Sequence, residues 1–266
     1  LDHFKNEGQN HFVVCGTTAE SPTLTPYEKE ALLDFIYHHD PHAHLILGIS
    51  SNCTQEAIKQ VQTFENKPIE ALMIVVPYYN RPSLQGCFLH FSKLLESTTK
   101  PILLYNVPNR TGRKIDANLI LKLKAHYPHL IGIKQACDDF EMIDQIKQIY
   151  PDFLFYLGED HLVKEALDHQ VDGMISVSSH LIYPLLVKRL NQTLTDQQIT
   201  KIDELITQTA KNLFSEASPA PLKYLLYKLG FIQNQLRLPL CPVSQDTQKQ
   251  LDDYLKNTYS KCFFDE

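Results

Sequence analysis

Seven short apolar runs, separated by amphipathic stretches of helical period, predict an α/β fold on a parallel sheet: a (β/α)8 TIM barrel with a C-terminal helical extension. Three observations carry this. Each run is apolar nearly throughout, as strands covered on both faces are. Runs and amphipathic stretches alternate up to Leu190, which implies right-handed βαβ crossovers. A length of 266 residues suits one large α/β domain with a helical appendage. Seven strand–helix units fit, and a barrel closes with eight. The expectation is therefore a barrel whose first strand is absent from the numbered chain. An open, doubly wound sheet of seven strands is the alternative.

The elements follow in order. Leu1 to Gly8 reads as the tail of a helix, with Gly8 near its C-cap. The first strand expected is His11 to Thr18. Pro26 to Tyr37 is a helix with apolar Ala31, Leu32, Phe35 and Ile36; Thr25 and Glu28 have capping-box spacing, and Pro26 suits a first helical turn. Strand His44 to Ser50 leads to helix Thr54 to Phe64, and strand Ala71 to Tyr79 to helix Leu84 to Leu95. Strand Pro101 to Pro108 precedes helix Ala117 to Tyr127. Strand Leu130 to Ala136 precedes helix Phe140 to Tyr150, with Asp138 and Asp139 as caps. Strand Phe153 to Gly158, helix Leu162 to His169, strand Gly173 to Ser178 and helix Leu181 to Leu190 complete the alternation. Beyond it the patterns are helical only: Asp196 to Phe214, Ala220 to Leu229 and Gln245 to Tyr259, broken by two proline-rich stretches. The division expected is a barrel domain, 1–192, and a helical segment packed on it, 193–266.

Composition narrows the function. A net charge of −6 gives no basic surplus for nucleic acid or an anionic membrane. Cys15, Cys53, Cys87, Cys137, Cys241 and Cys262 form no C-x-x-C pair, so they read as free thiols of a reducing, cytoplasmic setting. No run is long enough to span a bilayer, and no signal-peptide pattern opens the sequence. The cluster His38-His39-Asp40-Pro41-His42-Ala43-His44 lacks the helical zinc spacing and reads as a solvated loop, so no metal is expected. Phosphate-loop, dinucleotide and serine-nucleophile motifs are absent.

Lys134 stands within the apolar run Leu130-Ile131-Gly132-Ile133-Lys134-Gln135-Ala136. Burying an ammonium is costly unless it is paired or loses its proton, and a lysine depressed by burial becomes an amine nucleophile near neutral pH. The alternative is a strand ending near Gly132, with Lys134 in solvent. Sites of parallel α/β folds lie at the C-terminal ends of strands. Those ends collect Gly16-Thr17-Thr18, Pro77-Tyr78-Tyr79-Asn80, Tyr105 with Arg110-Thr111-Gly112 beyond it, Lys134, Gly158-Glu159-Asp160, and Ile175-Ser176. Singly, the threonines read as a turn, the tyrosines as a half-buried strand end and Arg110 as a surface cation. Together they suit a carbonyl substrate bearing a carboxylate: an amine to attack, hydroxyls to relay protons, a guanidinium to grip a second carboxylate.

These segments resemble the dihydrodipicolinate synthases (4-hydroxy-tetrahydrodipicolinate synthases) of the N-acetylneuraminate lyase superfamily. The resemblance rests on Gly16-Thr17-Thr18-Ala19-Glu20-Ser21, Pro77-Tyr78-Tyr79-Asn80-Arg81-Pro82, Tyr105-Asn106-Val107-Pro108-Asn109-Arg110-Thr111-Gly112 and Gly132-Ile133-Lys134, in family order and spacing. It implies a (β/α)8 barrel that condenses pyruvate with L-aspartate-4-semialdehyde on the lysine and diaminopimelate pathway. It implies Lys134 as the Schiff-base lysine, Tyr105 as proton shuttle, and Thr17 and Tyr79 as the rest of a hydroxyl relay, Tyr79 reaching in from a neighbouring subunit. Thr17 and Thr18 would bind the pyruvate carboxylate and Arg110 the semialdehyde, with backbone at Gly158 and Ile175 lining the pocket. No cofactor is implied, and the assembly implied is a homotetramer, a dimer of dimers. A related class I pyruvate aldolase, acting on sialic or keto-sugar acids, is the sibling reading; a non-catalytic keto-acid-binding barrel is the reading from another class.

Two further expectations follow. Ala19 stands where the family usually has glycine, so strain is expected there if that position needs a positive φ. Ser21, Asn52, Glu56 and Tyr78 match positions lining the family's lysine effector site, while Lys29 replaces a histidine and should repel the effector's ammonium, giving weak or no lysine inhibition.

Overall fold

The computed structural model describes residues 1–191 and 194–260. The expected domain boundary at 192 and 193 and the expected thiol Cys262 lie outside the described residues. The chain forms two compact units, Leu1–Gly16 with Leu24–Ser176, and Thr17–Thr23 with Val177 onward.

The first unit opens with α1 (Asp2–Asn6). Gly8, at φ 83°, ends it: Gly8 N–H bonds to Lys5 O and Gln9 N–H to Phe4 O, a Schellman pattern that glycine makes cheaply. Then come β1 (His11–Val14), α2 (Pro26–His39), β2 (His44–Ile49), α3 (Thr54–Phe64), β3 (Ala71–Val75), α4 (Leu84–Leu95) and β4 (Ile102–Asn106). A single turn, α5 (Pro108–Thr111), precedes α6 (Ala117–His126), β5 (Leu130–Gln135), α7 (Phe140–Ile149), β6 (Leu154–Leu157), α8 (Val163–Leu167) and β7 (Gly173–Met174). The capping box at Thr25 forms, with its N–H 2.8 Å from Glu28 Oε2, and the Asp139 carboxylate caps α7 through Met142 N–H.

The seven strands make one parallel sheet in sequence order, β1 to β7. Its two faces are both apolar. One carries Leu47, Leu72, Ile74, Leu104, Ile133 and Phe155, buried like the inner residues of α3, α4 and α6. On the other, Met73, Leu103, Tyr105, Val107 and Ala136 form one cluster, joined by Val13 and Ile46 from the start of the sheet and Ile175 from its end. One cluster reached from β1 and from beyond β7 means that the sheet curls around this face.

Several strands end earlier than their apolar runs suggest. β1 stops at Val14 because Cys15 has φ 57°, and Thr17–Ala19 turns as a 3-10 helix. Gly48 admits that turn: a Cβ there would sit 2.5 Å from Cys15 O. β3 stops at Val75, before Pro77, which has no N–H for the ladder. The positive φ expected to strain Ala19 falls instead on Cys15 and Glu20. The histidine cluster is not all loop: His38 and His39 complete α2, His39 bonds to Asp2, and His44 opens β2, stacked on His11 and bonded to Glu70.

The second unit holds α9 (Ser179–Leu190), α10 (Asp196–Leu213), α11 (Ala220–Lys228) and α12 (Gln245–Tyr254), with a π-helical turn over Leu255–Tyr259. Pro184 accounts for the kink in α9 at Ile182. Thr209 and Tyr254 share a buried hydroxyl bond of 2.8 Å, and Arg189 grips Asp203 through two guanidinium nitrogens at 2.6 and 3.2 Å. Glu20, following the 3-10 turn, accepts bonds from Lys223 and from Arg237 N–H. Among the described residues no helix is long and apolar enough to cross a membrane.

Candidate active site

One level of the sheet collects the chemistry. Val75 pairs with Tyr105, Tyr105 with Lys134, Lys134 with Tyr156, and Tyr156 with Gly173. Paired residues of a sheet share a face, so Tyr105 and Lys134 both point to the curled side. Strand β5 therefore continues past Gly132, and the solvent-facing alternative for Lys134 is not what forms.

An irregularity makes this possible. Leu130 pairs with Ile102, but Gly132 pairs with Leu103, so Ile131 is one residue too many in β5. Side chains alternate along a strand, and an inserted residue inverts the facing of everything after it. Without the bulge, Lys134 would stand opposite Asn106 and face the other way. With it, Lys134 Nζ lies 4.5 Å from the centroid of the Tyr105 ring.

The surroundings set the charge of the amine. Burial pushes the Lys134 pKa down to about 8; Asp160 and Glu159 oppose this, and the Arg110 cation adds to it. Burial likewise raises the Glu159 carboxyl, against the pull of His161, Lys134 and Arg110. Gly158 makes room for the lysine: a Cβ there would meet Lys134 Cε at 2.8 Å and Ala136 Cβ at 3.0 Å. Ile175 closes the cluster, its N–H bonded to Leu157 O at 2.9 Å. Tyr105 is 8% exposed. An amine with a pKa lowered to about 8 keeps a substantial uncharged fraction near neutral pH, far more than an ordinary lysine, and against a phenol in a mostly apolar lining it can attack a ketone and form an imine.

The other expected residues fall at varying places. Arg110 is exposed on α5, within electrostatic reach of Lys134. Tyr78 is half-buried, whereas Tyr79 is 88% exposed at φ 71° and stands apart from the inner cluster. Thr17 and Thr18 are half-buried in the 3-10 turn that opens the second unit. Of the expected effector positions, Ser21 is buried in that unit; Asn52 accepts a bond from Asn80 at 3.3 Å, and Glu56 is exposed and paired with Lys59. Lys29 is not a surface cation: it sits on the buried side of α2, and burial lowers its pKa, with the Cys15 thiol as the interacting group. Among the described residues, no three histidine, cysteine or acidic side chains are grouped to hold a metal.

Sequence reasoning missed Tyr156, Asn106 and Gln135. Alternation back from Gly158 points to Tyr156. Asn106 faces away from Tyr105 by plain alternation, whereas the facing of Gln135 depends on the bulge, whose mark in the sequence is Gly132.

Comparison with known proteins bears on the whole chain. The profile of the dihydrodipicolinate synthetase family matches residues 1–258. The 4-hydroxy-tetrahydrodipicolinate synthase of Fervidobacterium nodosum is 35% identical over 253 residues, 94% of this chain and 87% of that protein. The solved dihydrodipicolinate synthase of Thermotoga maritima superposes with a TM-score of 0.89 at 32% identity, covering 96% of this chain and 89% of that one. The Acinetobacter baumannii enzyme, solved in complex with pyruvate, gives 0.88 at 28% identity over 96% of this chain and 89% of its own.

Proposed function

The chain belongs to the dihydrodipicolinate synthetase family, and on that premise we propose that it is a 4-hydroxy-tetrahydrodipicolinate synthase, condensing pyruvate with L-aspartate-4-semialdehyde in lysine and diaminopimelate biosynthesis. The observation that carries the reading is the Lys134 amine, 4.5 Å from the Tyr105 ring centroid and depressed to a pKa of about 8.

In this reading the Lys134 amine adds to the pyruvate ketone, water leaves, and a Schiff base forms. Its cationic nitrogen is the electron sink, so the methyl group can lose a proton and attack the semialdehyde carbon. Tyr105 carries protons to and from the adduct, with Thr17 and Tyr79 completing the relay. Thr17 and Thr18 hold the pyruvate carboxylate, Arg110 the semialdehyde carboxylate, and Gly158 and Ile175 line the pocket. The exposure of Tyr79 supports a role across a subunit boundary, in a homotetramer built as a dimer of dimers. The curled seven-strand sheet supports a (β/α)8 barrel, with 1–192 as barrel and 193–266 as helical segment, in a cytoplasmic enzyme. Ser21, Asn52, Glu56 and Tyr78 form the effector group of the same proposal, and Lys29 weakens its response; strong inhibition by micromolar lysine would overturn that last point.

Pyruvate with borohydride tests the core of the reading. Reduction should add a pyruvyl mass to the peptide bearing Lys134, and Lys134→Ala should show none. A mass on another lysine, or none on the unmodified protein, would end it.

A further inference from the structure

We propose that the buried amide pair Asn106–Gln135 is a positioning device that keeps Lys134 facing Tyr105 while the adduct forms. The inference rests on the reading of Lys134 as the Schiff-base lysine. Asn106 directly follows Tyr105, and Gln135 directly follows Lys134. The two are register partners on the opposite face from the site, and both are fully buried. Asn106 Nδ2 donates to Gln135 Oε1 at 2.9 Å. The remaining polar atoms reach outward along both loops of the site. Asn106 Oδ1 accepts from Ile115 N–H at 3.4 Å, beyond the turn that carries Arg110. Gln135 Nε2 donates to Asp139 O at 3.3 Å and to Cys137 Sγ at 3.2 Å.

The need for such a device follows from the bulge. Leu130, Ile131 and Ile133 are apolar, and both faces of the sheet are apolar, so hydrophobic burial discriminates weakly between a bulge before Lys134 and one after it. A bulge after Lys134 would put the amine opposite Asn106, away from Tyr105. It would also separate the two amides and leave their buried donors and acceptors unmet, which is costly. The pair is satisfied only in the register that aims the amine at Tyr105. Buried polar partners selecting one register among apolar alternatives is an attested use of such groups.

The test is the pH dependence of borohydride trapping, followed for the wild-type chain, Gln135→Met, the double variant Asn106→Leu/Gln135→Met, and Thr98→Val. The last removes a buried hydroxyl that bonds to Glu65 before β4 and serves as the control for general destabilisation. Gln135→Met should trap about tenfold more slowly at pH 8, the scale of one lost hydrogen bond. Its pH midpoint should rise from about 8 towards the ordinary lysine value, because a loosened amine is better hydrated. The double variant leaves neither amide orphaned, so it folds more readily than the single one; its midpoint should still be raised. Thr98→Val should keep the wild-type midpoint, since a loss of folded protein lowers the amplitude and not the titration. A wild-type midpoint and rate in either pair variant would overturn the proposal. Absence of any Lys134 adduct in the wild-type chain would instead overturn the functional reading beneath it.

Discussion

Lys134 is a residue whose usefulness is a thermodynamic cost. Its folded pKa of about 8 lies below the ordinary lysine value, so between the two the unfolded chain holds more protons than the folded one. The cost is fully present below pH 8 and is relieved as pH rises towards the unfolded value. The trapping rate should therefore rise with pH through a midpoint near 8 and flatten above it. On the same grounds Lys134→Met should stabilise the protein at pH 7 by roughly 2 kcal/mol in chemical denaturation, an order of magnitude set by the shift. Gly158 is the complementary case. Alanine there meets Lys134 Cε and also Gln135 O at 3.2 Å, and the backbone oxygen has little freedom to retreat. Gly158→Ala should cut trapping by tenfold or more while leaving the far-ultraviolet dichroism unchanged. That Lys134 is buried with a depressed pKa was legible from one charged residue in an apolar run. That Gly158 must lack a side chain was not, because the close approach joins neighbouring strands.

At the scale of elements, the helices were the easier reading. α3 and α4 begin and end where their apolar periodicity places them, because each has one buried and one wet side. Strand ends were harder. The runs His11 to Thr18 and Ala71 to Tyr79 continue past the ladder because what ends each strand is local backbone, a positive φ at Cys15 and the missing N–H of Pro77, rather than a change of composition. The bulge in β5 was hard to read for a different reason: two apolar faces give no alternation to interrupt, and Gly132 alone marks the place. Deleting Ile131 should remove the extra residue, make the ladder regular from Leu130 onward and leave Lys134 opposite Tyr105. A pyruvate adduct retained by a folded deletion variant, seen by mass spectrometry, is the outcome expected; its loss would mean that the shortened strand pairs in another register.

For the molecule as a whole, the proposed role of Tyr79 is the one that reaches beyond one chain. An aromatic ring at 88% exposure and φ 71° is costly for an isolated protomer. If it completes a neighbour's relay, turnover per chain should fall on dilution below the dissociation constant of the assembly, while Tyr79→Phe should lower turnover at every concentration. Activity independent of dilution down to a monomer, followed by light scattering, would sever Tyr79 from the chemistry. The odd residue in β5 also has a practical corollary for anyone borrowing this strand. A graft that copies Leu130 to Lys134 residue for residue into a regular ladder, paired from Leu130, would put the amine on the opposite face, with every expected side chain present. The transplantable unit is the run with its bulge, or the same run one isoleucine shorter, so its length matters as much as its letters.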